Sequence, residues 1–300
     1  NHTGAAYTAG DGTHNAAWAG RTAVGNKVEN NKLTVTGGAI NVAAYGGLVE
    51  NHKLDAHGNP LPTGDAEKNT VVVSGGTVAN AYGAEVRTKN GNATENTAEI
   101  TNGTVGSVYG ASLAAAGATG TADKSKVTIA GGTVNGAVYG GHIANAAATG
   151  QIKNSEVNIK GGSVSGTVHG GYLSHASATG DATGNTITIT GGTMGDVYGG
   201  YTSGTGATTG NTVNLGDGSH ALASGTTING VLYGGNKTTV TDNMLNVKTN
   251  ATAGNIAHFD KVKFDLNSTI NPANSLLTLN NGAQTTDLNW NKLEVDTSSL

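Results

Sequence analysis

The sequence predicts an all-β fold, a parallel β-solenoid of the right-handed β-helix type with coils of roughly 30 residues. Three observations predict it. A unit exemplified by Lys126-Val-Thr-Ile-Ala-Gly-Gly-Thr-Val-Asn-Gly-Ala-Val-Tyr-Gly-Gly141 recurs from near the N-terminus to beyond residue 230. Within the unit the pattern has period two, with Val127 and Ile129 on one side and Thr128 on the other. It resumes after Gly131-Gly132 as Val134, Gly136 and Val138, which is strand periodicity. With 49 glycines and 4% aromatic residues among 300, the chain lacks the side chains of an ordinary globular core, so stacked small units must bury its area instead.

Composition narrows the function classes. Three prolines without a Gly-X-Y period exclude collagen, and the regular Val/Ile alternation excludes disorder. A net charge of -4 with 12% charged residues offers neither a basic stripe nor an acidic tail, so nucleic acid is not an expected partner. The absence of cysteine excludes disulfides and cysteine metal sites. No long apolar run or signal peptide is present, and the chain opens inside a repeat-like stretch at Tyr7 and Trp18, which reads as a piece of a longer protein.

Three regions are expected: residues 1–30 as partial N-terminal coils of a truncated solenoid, 31–249 as β-helix repeats, and 250–300 as a variant C-terminal solenoid module. Strand-and-glycine units begin at Leu33, Val71, Ala98, Val127, Val157 and Ile187, with a weaker one at Val213. Each leads into an aromatic anchor followed by Gly-Gly or Gly-Ala: Tyr45, Tyr82, Tyr109, Tyr139, His169, Tyr198 and Tyr233, at steps of 37, 27, 30, 30, 29 and 35 residues. Glycine pairs suit corners that need positive φ. A third, small-residue segment (Ala114–Gly120, Ala144–Gly150, Ser174–Gly180) closes the coil. Stacking coils about 4.8 Å apart pairs the backbone of each with its neighbour and lays Val on Val, and right-handed crossovers are the rule for parallel strands. Length variation falls in loops, mainly residues 48–69, with Pro60 and Pro62, and residues 217–225. A β-propeller, with blades of about 40 residues, fits these steps badly. Beyond residue 240, Met244–Val247 resembles one more coil, while residues 256–266 carry both phenylalanines, Phe259 and Phe264, and no Tyr-Gly-Gly.

The string Gly-Gly-Thr-Val-x-Gly-x-Val-Tyr-Gly-Gly, followed by Ile-Ala-x-Phe-Asp-x-x-x-Phe at residues 256–264 and a Leu-rich strand, resembles the passenger region of bacterial type V (classical, monomeric) autotransporter adhesins. The likeness covers most of residues 31–280. It implies an extracellular β-helix displayed at an outer membrane, secreted through a C-terminal barrel, with roles in adhesion, aggregation or biofilm. The partners it implies are glycans or proteins of host-cell or bacterial surfaces, with self-association. Membrane attachment would then run only through a barrel absent from this chain.

Candidate site residues fall in three sets. The anchor column Tyr45, Tyr82, Tyr109, Tyr139, His169, Tyr198 and Tyr233 is expected to form a stacked structural ladder, packed beneath the Ala-rich segment with hydroxyls satisfied at its edge; His169 reads as a planar substitute rather than a metal ligand. Three positions on, the column Leu48, Glu85, Ser112, His142, Tyr172, Tyr201 and Asn236 varies, which suggests exposure. His142, Tyr172 and Tyr201 there make a candidate ligand-binding strip for sugar rings or apolar side chains, with His175 beside it; the plainer reading is that they cover glycine-rich backbone. Glu29, Glu67, Glu95 and Asp123, followed by Lys153, suggest an acidic edge of the kind solenoid lyases use, although a solvated face is the default. No catalytic elbow, phosphate loop or metal motif appears, so no catalytic residue, metal or cofactor is expected. The leading expectation is a non-catalytic adhesin rod; the alternatives are a purely structural stalk and a polysaccharide-cleaving enzyme acting through Glu67 or Asp123.

Overall fold

The computed structural model describes residues 2–3, 6–10, 12–22, 27–50, 64–236, 241–281 and 292–298. Most of the insertion expected at 48–69, with Pro60 and Pro62, lies outside the described residues, as do residues 289–291. Among the described residues every strand pairing is parallel and there is no α-helix. The molecule is a β-solenoid of about nine turns with coils of about 29 residues.

One coil shows how the sequence builds the rest. Thr121–Asp123 is a short strand, Lys126–Ile129 a second, and Thr133–Val134 with Val138–Ile143 form the third, interrupted, run. In the next coil Val157 lies on Val127, Ile159 on Ile129, Val164 on Val134, and Val168 on Val138. Identical or similar β-branched residues therefore stack along the axis, where each fills the space its neighbour leaves. The second glycine of each corner pair adopts positive φ, 76° at Gly132 and 71° at Gly162, as the corner requires.

Two cores run side by side, the first from Ala9 to Val262 and the second from Val28 to Ala182. Residues such as Val127, Ile129, Val134 and Val138 fill the first, while Leu113, Ile143, Leu173 and Ile152 fill a second, smaller one. The alanines of the small-residue segment, Ala118, Ala148 and Ala178, are buried in that second core. This corrects the expectation that the Ala-rich segment lies over the tyrosines: small residues are needed there to close a narrow lobe.

The Gly-Gly after each aromatic anchor is the bend between the lobes. A Cβ at Gly140 would sit 2.4 Å from the carbonyl oxygen of Gly170 in the next coil, and one at Gly141 would sit 2.5 Å from a methyl of Ile152. Gly83, Gly110, Gly170 and Gly199 repeat the first contact at 2.3–2.5 Å, so the bend exists only without side chains.

A second ladder holds the opposite corner. Asn31, Asn69, Asn96, Asn185, Asn211 and Asn243 are all at most 1% exposed, with Ser125 and Ser155 at 0% filling the two coils between. Asn185 donates its backbone N–H and its side-chain amide to Asn211 Oδ1, both at 3.0 Å, and Asn69 does the same to Asn96. Just before this column the backbone turns left-handed, at Asn30, Lys68, Glu95, Lys124, Asn154 and Asp242, with φ between 51° and 60°.

Beyond Ala182–Thr183 the sheet of short strands ends among the described residues. Stacking nevertheless continues through the C-terminal region: Leu245 lies on Val262, Ile256 on Leu232, and Phe264 on Val295. Phe259, 2% exposed, enters the first core.

Candidate functional site

Both aromatic columns face outward, and the reason is the bend. Strict alternation would place residues three apart on opposite faces, but in Val138–Ile143 both Gly140 and Gly141 are buried, so Tyr139 and His142 emerge on the same side. The corner is concave there, and the two rings meet with centroids 4.8 Å apart.

In the anchor column, register places Tyr45, Tyr82, Tyr109, Tyr139, His169, Tyr198 and Tyr233 on one another. Their rings stack at 4.4–5.4 Å, with interplanar angles from 3° at Tyr198–Tyr233 to 19° at Tyr109–Tyr139. Trp18 continues the column in register with Tyr45, and the Arg21 guanidinium lies 4.8 Å over its ring. Tyr45 and His169 are buried; the other tyrosines are half-buried.

The second column is Arg21, Leu48, Glu85, Ser112, His142, Tyr172 and Tyr201 in register. The expected exposure fails for Leu48, Glu85 and Ser112, which are 3%, 7% and 4% exposed, because the concave corner shelters them against the anchor rings. His142, Tyr172 and Tyr201 are half-buried and are brought together: His142 stacks on Tyr172 at 5.6 Å, and Tyr172 meets Tyr201 at 5.0 Å. His175 does not join them: it sits in the following turn, where its Nδ1 lies 2.9 Å from Ser177 Oγ. Asn236 closes the column by accepting from the Thr202 N–H at 3.0 Å and donating to the Thr202 carbonyl at 2.8 Å.

Burial sets the electrostatics of the corner. It pushes the Tyr45 and Tyr139 hydroxyls up to about 12, and those of Tyr82 and Tyr198 further up still. It pulls His142 down to about 4, and His169, which also faces His142, down to about 3. The His169 ring has Nε2 2.8 Å from Thr167 Oγ1 and no hydrogen-bond partner at Nδ1. At neutral pH the aromatic corner is therefore uncharged.

Its N-terminal end is charged. Glu50, 5% exposed, pairs with Arg21 at 2.5 Å and Arg87 at 3.4 Å, and Arg87 also donates to Glu85 at 3.1 Å and to the Tyr45 hydroxyl at 3.0 Å. Sequence reasoning missed this cluster, since its members come from three coils with unequal loops. It also missed the asparagine ladder. The signal for that was present: an Asn or Ser stands two residues before the first inward residue of most coils, as in Asn69-Thr-Val71 and Asn211-Thr-Val213.

The acidic edge is only partly assembled. Glu29 lies on Glu67, but Glu67 lies on Thr94, which lies on Asp123, so Glu95 drops out of the column into the left-handed corner. Lys27 bridges Glu29 and Glu67, and Lys68 pairs with Glu67 at 3.0 Å, holding its carboxyl below the usual range. Asp123 accepts from the Asn154 amide at 3.0 Å. Among the described residues no group of three or more His, Cys, Asp or Glu could hold a metal ion, and no helix is long and apolar enough to cross a membrane.

Elsewhere, the 217–225 loop is held by Asp217, which accepts from the Ser219 and His220 N–H groups at 2.8 and 3.0 Å. A cleft of about 390 Å³ lies between Leu222–Thr226 and the strand at Ala251, but the Asn250 amide beside it is spent on the carbonyls of Asn271, Asn274 and Ser275. What the geometry presents is a half-buried, neutral aromatic groove along the rod, charged at one end. Compared with known proteins, the chain matches no family model, no curated protein and no solved structure.

Proposed function

We propose that this chain is a non-catalytic adhesion rod, displayed at a bacterial cell surface, that binds glycans or proteins on host or bacterial surfaces along its aromatic groove. The observation that supports it is the pairing of two outward aromatic columns at one concave corner, where His142, Tyr172 and Tyr201 stay partly exposed and both histidines are held neutral by burial at neutral pH. Flat, rigid rings lose little entropy on contact and suit recognition. Display outside an outer membrane enters this reading from the resemblance of the Tyr-Gly-Gly repeat. The test is binding of the purified chain to cells and to immobilised surface glycans. Replacing His142, Tyr172 and Tyr201 together with alanine is expected to abolish the signal; no binding by the unaltered chain, or undiminished binding by the triple variant, would sink the reading. A structural stalk is the second reading, favoured by the stacking of the anchor rings, which occupies their faces with each other. In that case a longer chain binds and this one does not.

A further inference from the structure

A stacked ladder uses up what makes an aromatic ring a good platform. Tyr109 lies between Tyr82 and Tyr139, and His169 between Tyr139 and Tyr198, at interplanar angles of 6–19°, so both π faces of each ring are covered by the coils above and below. Such rings offer a ligand only their edges. Tyr172 is also stacked, on His142 and Tyr139 of the preceding coil and on His169 of its own, at 20° or less.

Tyr201 differs. Its ring is turned 70° to Tyr172, 85° to Tyr198 and 89° to His169, so none of its three ring contacts is a stack. The next coil explains why: the position that would carry another ring is Asn236, whose amide is drawn aside onto both backbone groups of Thr202. The second column ends at Tyr201, and no ring of the next coil lies on it.

Resting on the reading of this corner as a binding groove, the geometry points to Tyr201 as the ring on which a ligand stacks, and to a neutral saccharide as that ligand. The C–H face of a pyranose carries slight positive charge and sits on the negative face of an aromatic ring, while hydroxyls beside the ring fix its orientation. Among the described residues the surroundings supply hydroxyls, those of Tyr172 and of Ser203 close to it. Asp196, the carboxylate felt by Tyr198 and Tyr233, is occupied by the Val231 N–H at 2.8 Å. Among the described residues none of the charges felt by these tyrosines is a cation, which favours a neutral glycan over an anionic one.

The experiment uses the whole chain on an array of neutral hexose and N-acetylhexosamine oligomers together with sialylated ones, followed by titration of the best neutral oligomer. Tyr201→Phe keeps the ring face and is expected to bind within about twofold of the unaltered chain, whereas Tyr201→Leu keeps apolar bulk without a face and is expected to bind about tenfold more weakly. Tyr7→Leu, at an exposed ring at the N-terminal end of the rod, serves as the control and is expected to change affinity less than about threefold. Should Tyr201→Leu fail to fold, Tyr201→Trp gives an independent readout: its emission shifts on adding the oligomer, and that of Tyr7→Trp does not. Equal losses in the Tyr201→Leu and Tyr7→Leu variants, an unaffected Tyr201→Leu variant, or binding confined to sialylated oligomers would each overturn the assignment while leaving the groove as a binding surface. Cell binding without glycan binding does the same. A chain that binds neither cells nor glycans fails earlier, at the groove itself.

Discussion

Two corners of each coil carry one side chain per turn, and they use it in opposite ways. At the asparagine corner the side chain points inward and completes the backbone: Asn211 Oδ1 accepts from the Asn185 N–H, and the Asn211 amide donates to the Ala182 carbonyl at 3.1 Å. At the glycine bend the side chain points outward and only covers its neighbours. The substitutions that occur follow that division. Inside, Asn gives way to Ser125 and Ser155, and at the C-terminal end Asp260 takes over by accepting from the Asn243 N–H at 2.9 Å. Outside, Trp18 and His169 stand in for Tyr, since a flat surface is enough. The inward place takes short polar side chains that fit the dry corner, Asn, Ser or Asp, whereas the outward place takes a flat ring.

Acid acts most sharply at the aromatic corner, where burial holds two histidines neutral. Unfolded histidine takes up a proton near pH 6.5, but the folded chain resists until about 4 at His142 and about 3 at His169. Protonation thus favours the unfolded state, and the histidines' contribution to stability is expected to fall as pH drops from 6.5 towards 3, with the carboxylates held below their usual range, Glu67, Glu156 and Asp217, adding losses in the acid part of that window. Each pH unit between the unfolded and folded values is worth about 1.4 kcal/mol; since His142 keeps part of its surface in water, the pair is expected to cost on the order of 5 kcal/mol. Thermal melts followed by circular dichroism from pH 7 to 3 check this. His169→Tyr, which restores the usual ring, is expected to remove more than half of the acid sensitivity and to leave the melt at pH 7 little changed.

The asparagine corner answers instead to truncation. In Asn211→Ala the Asn185 N–H and amide lose their shared acceptor and the Ala182 carbonyl loses its donor, all in a column at most 1% exposed. Leaving such groups unpaired is expected to cost about 2–3 kcal/mol in denaturant unfolding. Asn211→Ser, the residue found at the equivalent place in two coils, is expected to lose about as much, since Ser155 Oγ there is buried without a hydrogen-bond partner. A serine variant as stable as the unaltered chain would show that the column is filling space rather than completing hydrogen bonds.

How far each corner could be read beforehand follows from the same physics. The anchor column was legible in full, because an aromatic residue followed by glycine is rare enough to align by eye, and all six steps from Tyr45 to Tyr233 are true register pairs. The period-two strands were legible for the same reason. What alternation could not give was the side on which His142 and Tyr172 emerge, since it names the wrong face once two consecutive glycines are both buried; variation along the column was the signal that did. The asparagine column hid in plain composition: asparagine and threonine are so frequent here that Asn-Thr before a strand carries no contrast. Glu95 was misplaced because it lies seven residues before its Asn-Gly pair rather than eight; a strict count of eight gives Thr94, the register partner of Glu67 and Asp123. Tyr201 aligned well in sequence, yet its turned ring depends on what the next coil lacks.

The smallest expected effect lies beside the asparagine corner and has the opposite sign. Lys124 holds φ of 51°, a left-handed conformation that costs a side-chain-bearing residue about 1 kcal/mol or more, whereas the same turn two coils later is made by Gly184 at 64°. Lys124→Gly relieves that strain but adds freedom to the unfolded chain, which returns part of the gain. The backbone bond from the Lys124 N–H to the Lys153 carbonyl, at 3.1 Å, is untouched by the change. The net expectation is a stabilisation of about 0.5 kcal/mol, read as a rise in the urea midpoint at constant slope. Lys124→Ala removes the same charge while keeping the Cβ, so it is expected to leave the midpoint where it was. If glycine and alanine raise the midpoint equally, the cause is charge rather than backbone conformation, and the left-handed corner is not a store of strain.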